Sequence, residues 1–295
     1  MLSHEQLCAY DYNCWFGNGR NAAKKLGINQ SSVSRNTRNV LQIFSLRSIR
    51  GASSWCVDGP ADSVELLQAE RAVHQLMRLQ RGSLPCRVEA NYWAGPTLLQ
   101  PLPEGWISGD FDLVGMEQPL RLLRDRVIDA WLGSYQPDLP GDDPELLVID
   151  LLRMPLHLLG HRAHPLVGVQ RLGPGDLAVF PSLSLPSGWF PVTESILKQQ
   201  NLWTDAVRMS RYDSASWEGL CEDQITLTYG QCLSQAISKD PLAILDWDLG
   251  LLSGEALVIS RDVAHTSGIQ MLLAILQSRA AAVAACHADC DLVGG

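Results

Sequence analysis

The apolar positions near the start of the chain recur at helical spacing. One apolar set surrounds a polar Lys24–Lys25 step and consists of Ala22, Ala23, Leu26 and Ile28. Gly27 breaks this pattern, and Asn29 follows as a residue type that caps helix N-termini. The spacing therefore predicts a first helix, a short turn at Gly27 and a second helix over residues 30–44.

The predicted second helix presents a polar face rich in hydrogen-bonding side chains. Its apolar positions are Val33, Val40, Ile43 and Phe44. Its polar positions are Gln30, Ser31, Ser32, Ser34, Arg35, Asn36 and Arg38. Helix, turn and helix in this order form a helix-turn-helix, and these polar side chains are the types that contact base edges and phosphates. The alternative is an ordinary two-helix corner with a solvated face.

Residues 45–61 lack a clear periodicity and contain several turn-forming residues. These are Gly51, Ser53, Ser54, Gly59 and Pro60. We expect an irregular segment here, which beside a DNA-binding helix-turn-helix would form a hairpin, or wing.

A longer helix is predicted from Asp62, with Asp62 as its N-cap, Glu65 as the capping-box partner and an end at residues 81–83. Its apolar residues recur at the spacing of a coiled-coil seam and are Leu66, Ala69, Val73 and Leu76. This seam indicates dimerisation. Because it spans under two heptads, a helix packed on its own domain stays open as the alternative.

The remainder of the chain, residues 84–295, alternates strand-like and helix-like segments. The predicted strands are Cys86–Ala90, Asp112–Met116, Leu146–Leu151, Met154–Gly160, Leu177–Phe180, Cys232–Ile237 and Leu257–Ser260. The predicted helices are Leu120–Leu132, Pro191–Gln200, Ala215–Leu227 and Thr266–Ala284. This order predicts an α/β domain with a largely parallel sheet, whose ligands lie beyond the carboxyl ends of strands.

The charge of the chain is divided unevenly. Taken whole, a net charge of −9 argues against a nucleic-acid partner. Residues 1–50, however, hold seven Lys and Arg against two acidic residues, whereas residues 51–295 hold 16 against 30. A basic end on an acidic body indicates a chain that meets a polyanion with that end only. A chance basic surface on a small domain is the alternative.

Length and composition exclude several classes of protein. A chain of 295 residues that is 46% hydrophobic can bury a sizeable core, is not disordered and predicts two domains. Its longest apolar runs, residues 271–276 and 280–286, are too short to span a bilayer, and the first residues carry no signal-peptide pattern. We therefore expect a cytoplasmic protein with no membrane partner.

The eight cysteines are scattered, which predicts free or buried thiols in a reducing compartment. Cys286, His287, Asp289 and Cys290 come nearest to a metal motif, and the two cysteines would share a helix face. A structural zinc site needs four ligands, usually in two pairs, and no second pair has suitable spacing. We therefore expect no metal and no cofactor.

Patterns typical of enzymes are weak. His157, His161 and His164 have helical spacing, but their segment is predicted as a strand followed by a loop. Asp246 and Asp248 lie two apart, a pattern commoner in exposed acidic loops than in catalytic pairs. The sequence contains no Gly-rich phosphate loop, zinc helix motif or nucleophile elbow, so we expect no enzyme.

The helix-turn-helix segment resembles that of the LysR-type transcriptional regulators. The family pattern has two alanines, a leucine, Ser-Gln, two small residues and Val-Ser-Arg. The matching residues here are Ala22-Ala23, Leu26, Asn29-Gln30, Ser31-Ser32 and Val33-Ser34-Arg35. Residues 154–166, 173–177 and 242–276 are similar to the family's effector region, in the same order, so the resemblance covers nearly the whole chain.

The chain departs from the family pattern mainly around the wing. Val40-Leu41 stand where Leu-Glu is usual, and Asn18-Gly19 where Ser-Phe is usual. Residues 48–51 replace Leu-Phe-x-Arg, and residues 55–59 replace Leu-Thr-x-Ala-Gly. These differences indicate a divergent member with altered wing contacts.

The resemblance implies a mixed α and α/β fold in three parts. They are a winged helix-turn-helix DNA-binding domain (1–60), a linker and dimerisation helix (61–83) and a two-lobed effector-binding domain like the periplasmic binding proteins (84–295). Lobe 1 would comprise residues 84–163 and 265–295, and lobe 2 residues 164–264.

The implied partners are double-stranded DNA and further copies of the chain. The expected DNA contacts are Asn29, Gln30, Ser31, Ser32, Ser34, Arg35 and Arg38. Gln30 suits adenine, and Arg35 and Arg38 suit guanine or phosphate. Because one helix reads too few base pairs, the resemblance implies a homodimer through Leu66, Ala69, Val73 and Leu76, or a homotetramer.

A small anionic or polar inducer is expected between the lobes. Its candidate contacts are Tyr92, Trp93, Thr97, Ser182, Thr228 and Tyr229. Thr97 would offer its hydroxyl at a helix start that favours an anion. The alternative is that Tyr92 and Trp93, which are bulky, fill the cleft and leave no ligand site.

A second class of function stays open. The chain would then be a two-lobed small-molecule sensor whose N-terminal helices mediate association rather than DNA binding. Affinity for DNA, and its dependence on Arg35, separates the two hypotheses.

Overall fold

The computed structural model describes residues 2–50, 55–82, 84–134, 136–209 and 211–293, which form a mixed α/β protein. The helices are α1 (His4–Phe16), α2 (Gly19–Leu26), α3 (Gln30–Ile43), α4 (Ala61–Arg81), α5 (Glu117–Arg124), α6 (Pro174–Leu177), α7 (Pro191–Gln199), α8 (Cys232–Ile237) and α9 (Ser267–Cys286). The strands are β1 (Arg47–Arg50), β2 (Trp55–Asp58), β3 (Cys86–Ala90), β4 (Trp106–Ser108), β5 (Ala130–Gly133), β6 (Leu146–Gly160), β7 (Leu183–Ser184), β8 (Asp205–Ala206), β9 (Thr228–Gly230), β10 (Ala243–Ser260) and β11 (Asp291–Leu292).

Helices α1–α3 and the β1–β2 hairpin form an N-terminal head. The predicted helix, turn and helix are confirmed, since α2 ends before Gly27 in the left-handed conformation (φ 65°) and α3 begins after Asn29. The predicted hairpin is confirmed in its strands, where β1 and β2 pair antiparallel. Its predicted turn residues Gly51, Ser53 and Ser54 lie outside the described residues.

Helix α1 has no counterpart among the predicted elements. A capping box between Ser3 and Gln6 starts it, and Gly17 in the left-handed conformation (φ 71°) ends it. Tyr10 packs in one apolar cluster and Trp15 in another. A helix buried on more than one side lacks a single apolar stripe, so periodicity does not identify it.

The linker helix α4 starts one residue earlier than predicted. Pro60 occupies the N-cap position, and no side chain caps the helix. The predicted Asp62–Glu65 capping box is therefore wrong, because Asp62 already lies inside the first turn. The helix runs to Arg81, and Ser83 of its predicted end lies outside the described residues.

The main sheet has seven strands in the order β11-β6-β10-β5-β3-β4, with β9 also paired to β6. Only the β3–β4 and β3–β5 pairs of this sheet are parallel. The other pairs, made by β6 and β10, are antiparallel. The prediction of a largely parallel sheet is therefore wrong, and the sheet is mixed.

Two long strands dominate this sheet. The predicted strands Leu146–Leu151 and Met154–Gly160 are one strand, β6, and predicted Leu257–Ser260 is the end of the 18-residue β10. β10 pairs with β6 along most of its length and with β5 near its end. It thus lies in the main sheet, although the domain prediction assigns it to lobe 2.

Several local predictions are wrong for identifiable reasons. Leu177–Phe180 begins with the last residue of the short helix α6 and continues as a turn, and Cys232–Ile237 is helix α8 rather than a strand, because short apolar runs fit either state. The helix predicted at Leu120–Leu132 ends at Arg124. Arg126 adopts a positive φ of 56° there and turns the chain into β5.

Of the other predicted elements, three lie where they are predicted and two do not form. Helices α7 and α9 and strand β3 lie where they are predicted. Asp112–Met116 is not a strand and makes only an isolated bridge at Leu113. Ala215–Leu227 contains 3-10 turns rather than one helix.

A second, smaller lobe carries β7 and β8, a two-stranded parallel sheet. An apolar cluster joins this lobe to the head, since Trp15 and Phe16 of α1 share it with Trp203 and Leu227. Helix α9 packs on the main sheet through Ile269, Leu272, Leu276 and Ala280. Within the described chain, α9 is also the one helix whose length and composition would permit a membrane span.

Candidate functional site

Helix α3, the second helix of the helix-turn-helix, has one buried face and one exposed face. Val33 and Val40 of α3 are fully buried, and Ala22 and Ala23 of α2 pack beside Val33. This anchoring follows the apolar positions of the sequence pattern. It leaves the opposite face of α3 to solvent.

The open face of α3 gathers nearly all of the predicted DNA-binding residues. Gln30, Ser31, Ser34, Arg35 and Arg38 line one shallow surface groove. Asn29 is exposed at the start of the helix, where its side chain makes no capping hydrogen bond. Ser32 is half-buried at the edge of the face. Hydrogen-bond donors on an exposed helix, with a helix N-terminus at one end, suit a phosphate-rich partner.

The hairpin that follows α3 along the chain has one charged pair among its described residues. Arg47 lies 3.5 Å from Asp58 across the β1–β2 ladder, and both side chains are exposed. Such a pair contributes little to stability and leaves the arginine available to another anion.

The head is fixed to the α/β part by a buried ionic cluster. Asp11 of α1 accepts a hydrogen bond from Arg71 Nε of α4 at 2.8 Å and from Arg87 Nη1 of β3 at 3.0 Å. All three side chains are at most 3% exposed. Arg87 also donates to Val127 O at 3.0 Å. One carboxylate thus joins the head, the linker helix and the sheet.

A second buried contact lies beside this cluster. Trp15 Nε1 of α1 donates to Glu89 Oε2 of β3 at 2.7 Å, and Glu89 Oε1 accepts from the backbone N–H groups of Ala90 and Phe111. Burial raises the pKa of Glu89 to about 7, against the opposing effect of the Trp15 and Ala90 hydrogen bonds. The carboxyl group therefore titrates near neutral pH.

An apolar cavity lies between the main sheet and the smaller lobe. It measures about 50 Å³ and includes Tyr92 and Trp93 in its lining. The other lining residues are Asn91, Leu113, Val114, Gly115, Trp131, Ser134, Leu185, Phe190, Met209, Tyr212 and Trp217. This volume holds a few water molecules, so a larger ligand requires the aromatic side chains to move.

Tyr92 and Trp93 close this cavity. The ring of Tyr92 stacks on Tyr212 with centroids 4.2 Å apart. Trp93 Nε1 donates to Glu255 Oε1 at 2.8 Å and approaches Ser134 Oγ at 3.1 Å. These two residues therefore line the predicted ligand site and are held in place by contacts of their own.

Glu255 is the centre of a hydrogen-bond network that the sequence analysis missed. It is fully buried, and its carboxylate also accepts from Ser134 Oγ at 2.7 Å and Gln231 Nε2 at 2.8 Å. Burial raises the pKa of Glu255 to about 7, opposed by the Ser134, Gln231 and Trp93 hydrogen bonds. A glutamate inside the apolar run of residues 251–259 is the sequence signal that identifies it.

A second cavity of about 20 Å³ lies on the far side of Trp93. Five buried side-chain atoms on its lining residues have no hydrogen-bond partner within the described part of the chain. They are Glu218 Oε2, Thr228 Oγ1, Gln231 Oε1, Gln235 Oε1 and Ser253 Oγ. All five can accept a hydrogen bond. The cavity therefore suits one small donor, such as a water molecule or an amino group.

The remaining predicted effector contacts do not converge on one point. Thr228 and Tyr229 line the small polar cavity. Thr97 donates its hydroxyl to Trp93 O at 2.7 Å and lines neither cavity. Ser182 is fully buried, with its hydroxyl 3.2 Å from Thr204 Oγ1. Thr97 and Ser182 thus make internal hydrogen bonds.

The linker helix α4 has two distinct faces. Its buried face carries Leu67, Arg71, Gln75, Arg78 and Leu79. Its exposed face carries the four residues of the predicted dimer seam, and Leu66 and Val73 are 61% and 58% exposed. One face of α4 therefore packs on the chain's own domain, as one interpretation of the helix expects. The other face is exposed, as a dimerisation seam would be in a single copy of the chain.

Three solved structures share the fold over nearly the whole chain. ArgP from Mycobacterium tuberculosis is 14% identical with a TM-score of 0.56, over 95% of this chain and 98% of that one. A full-length OxyR variant from Pseudomonas aeruginosa is 13% identical with a TM-score of 0.55, over 95% of each chain. CbnR, a LysR family transcriptional regulator, is 14% identical with a TM-score of 0.52, over 94% and 99%.

These likenesses confirm the predicted resemblance to LysR-type regulators at the level of the fold. The fold is a two-lobed mixed α/β architecture preceded by a helical head. No family model and no curated protein matches the sequence.

Proposed function

We propose that the chain is a DNA-binding transcriptional regulator of the LysR type, and not an enzyme. Its head would be a winged helix-turn-helix and its α/β part an effector domain like the periplasmic binding proteins. The observation that carries the proposal is the open groove of α3, where Gln30, Arg35 and Arg38 lie together above a buried apolar face. The shared fold with a LysR family regulator supports it.

The electrostatics of this surface agree with the proposal. Arg35 and Arg38 are exposed and make no ion pair within the described residues, so their charges face solvent. The chain as a whole carries a net charge of −9, which discourages the rest of its surface from lying on DNA. Contact with a duplex would therefore be restricted to the basic head.

Removal of Arg35 tests this function directly. We expect Arg35→Ala to weaken binding to a recovered operator fragment by about 1–3 kcal/mol, or roughly 5- to 150-fold in Kd, because a guanidinium contact to guanine or phosphate is lost. Genomic fragments recovered with the protein supply the operator. Gel-shift titrations at several salt concentrations measure the affinity and its salt dependence.

Arg208→Ala is the matched control, because Arg208 is an exposed arginine outside the head. It should bind the operator as the unmodified protein does. If no fragment is enriched, or if both variants bind alike, the chain is instead a two-lobed sensor whose N-terminal helices mediate association.

We also propose that the chain dimerises through the exposed face of α4. Leu66, Ala69, Val73 and Leu76 lie along this face, and a second copy of the same helix would bury them. Two heads would then reach neighbouring half-sites on DNA. A homotetramer would require a further contact beyond this seam.

Val73→Glu is expected to dissociate this dimer, because a charge placed in a coiled-coil seam loses its hydration without gaining a partner. Analytical ultracentrifugation should show the dimer dissociation constant rising by at least about tenfold, since 1.4 kcal/mol suffices for that change. Val179→Glu is the control, because Val179 is 73% exposed and lies outside α4. Equal dissociation constants for both variants would exclude the seam.

The lining of the two cavities described above supports a proposal about the ligand that this regulator would sense. The residues that line them include no lysine, arginine or histidine among the described part of the chain, and the polar cavity carries Glu218. An anion would lie there without a positive partner, at a high cost in desolvation. We therefore propose a small neutral or positively charged ligand, which excludes the anionic member of the pair, anionic or polar, that the family resemblance implies.

In this proposal the ligand's apolar part would displace Tyr92 or Trp93 from the larger cavity. Its hydrogen-bond donor would reach the acceptors around Thr228. Binding would then shift the lobes and, through α4, the spacing of the heads. The division into residues 1–60, 61–83 and 84–295 and a cytoplasmic location belong to the same proposal.

A further inference from the structure

The C-terminal segment brings several metal-ligating side chains to one place. Cys232 Sγ and the ligand atoms of His287 and Asp289 all lie within 4.8 Å of one another. Cys290 is 6% exposed, and burial raises the pKa of its thiol to about 11 against the opposing interaction with Cys232. Two thiols, an imidazole and a carboxylate thus converge from two distant parts of the chain.

The backbone holds these groups in position. Cys232 is the first residue of α8, and Cys290 N donates to His287 O in a turn at 3.1 Å. Immediately after this turn, β11 pairs with Leu152 and Arg153 of β6. The segment is therefore tied to the main sheet on one side and faces the start of α8 on the other.

We propose that Cys232, His287, Asp289 and Cys290 bind one Zn²⁺ ion. Zinc takes four such ligands in a tetrahedron, in which neighbouring ligand atoms lie about 3.3–3.8 Å apart, so the three grouped atoms would draw closer and the Cys290 thiol would rotate toward them to complete the site. Thiolate and imidazole ligands select zinc over calcium or magnesium. Binding displaces one proton from each thiol as the two Zn–S bonds form.

One neighbouring side chain supports this assignment. His157 Nε2 lies 3.2 Å from Asp289 Oδ2 and orients the carboxylate, as outer partners of metal ligands do. Cys286 is exposed at the end of α9, whereas Cys290 is buried, so the proposed site takes Cys290 and leaves Cys286 out. The spacing of Cys286 and Cys290 therefore does not define the site, because the partner of Cys290 is Cys232.

The site would connect the C-terminus to the ligand cavities. Gln231 and Ser234, which flank Cys232, line the small polar cavity, and Gln231 donates to Glu255. Bound zinc would fix the start of α8 and hence this wall of the cavity. The assignment of the metal does not depend on the proposed regulatory function.

The test uses the full chain, stripped of metal and kept reduced with a non-thiol reductant. Titration with Co²⁺ should give one equivalent of tetrahedral cobalt with thiolate-to-metal absorption, and Zn²⁺ should displace it. Cys232→Ser and Cys290→Ser should each weaken binding by more than about 100-fold, and His157→Ala by about 10- to 100-fold. Cys286→Ser is the matched control and should bind as the unmodified protein does.

Other outcomes overturn the proposal. These are no thiolate-to-cobalt absorption from the unmodified reduced chain, or equal affinities for the Cys232, Cys290 and Cys286 variants. Mass spectrometry that finds a Cys232–Cys290 disulfide in a chain that binds no cobalt after reduction assigns the pair to redox chemistry instead. Circular dichroism checks that each variant folds, and the unmodified chain decides the question if a variant does not.

Discussion

Asp11→Ala is expected to lower the free energy of unfolding by about 3–5 kcal/mol, because it leaves Arg71 and Arg87 charged and unpaired in the protein interior. For a chain of this size that corresponds to a fall in Tm of roughly 5–8 °C. Denaturant titration followed by tryptophan fluorescence measures the change. Trp15, one helical turn from Asp11 and bonded to Glu89, would report the release of α1 from the sheet.

Asp58→Ala is the control for this prediction. Asp58 also pairs with an arginine, but that pair is exposed and 3.5 Å apart, so its removal should cost less than about 1 kcal/mol. If the two variants unfold alike, α1 is not fixed to the α/β part by a buried ionic cluster. The head would then be held to it mainly by apolar contacts such as those of Trp15 and Phe16.

The attachment of the head could not be predicted from the sequence. Asp11 is 60 residues from Arg71 and 76 from Arg87, so no local spacing relates them. The open face of α3 was predictable for the opposite reason, because its residues are close together in the sequence. Gln30, Ser34 and Arg38 lie on one side of a single helix, and the 3.6-residue period alone places them together.

The same distinction explains the errors in the sheet. Helix α9 and strand β3 have clear local patterns and were predicted nearly to their ends. Most of β10 was missed, because residues 243–256 mix exposed and buried positions with shifts in register against β6. Whether neighbouring strands run parallel is decided by pairing between distant segments, which periodicity does not report.

The candidate sites show the same difference between residues that are close in sequence and residues that only the fold brings together. Tyr92 and Trp93 were predicted because they directly follow a strand, and they do line the larger cavity. Thr97 was placed by family analogy, but its hydroxyl is used within its own helical turn. Cys232 was not connected with His287, since 55 positions separate them and only β11 and α8 bring them together.

Glu255 is expected to make the free energy of unfolding fall as the pH rises. An ordinary carboxylate in an ion pair has the opposite effect. Its pKa is about 7 in the folded chain against an ordinary value of 4.5, so the folded state holds a proton that the unfolded state releases. The stabilisation is therefore fully present below pH 4.5 and is lost as pH rises through 7. The full shift in pKa corresponds to about 3 kcal/mol.

Glu255→Gln should remove this dependence, because a neutral amide occupies the same volume and Ser134 Oγ can rotate to accept a hydrogen bond from it. The variant should therefore gain about 3 kcal/mol of stability relative to the unmodified chain between about pH 5 and pH 8. Urea unfolding at several pH values measures the difference, and Glu222→Gln, at an exposed position, should show none. Parallel profiles for the Glu255 variant and the unmodified chain would mean that Glu255 is ionised throughout this range, with its three hydrogen-bond donors compensating its burial.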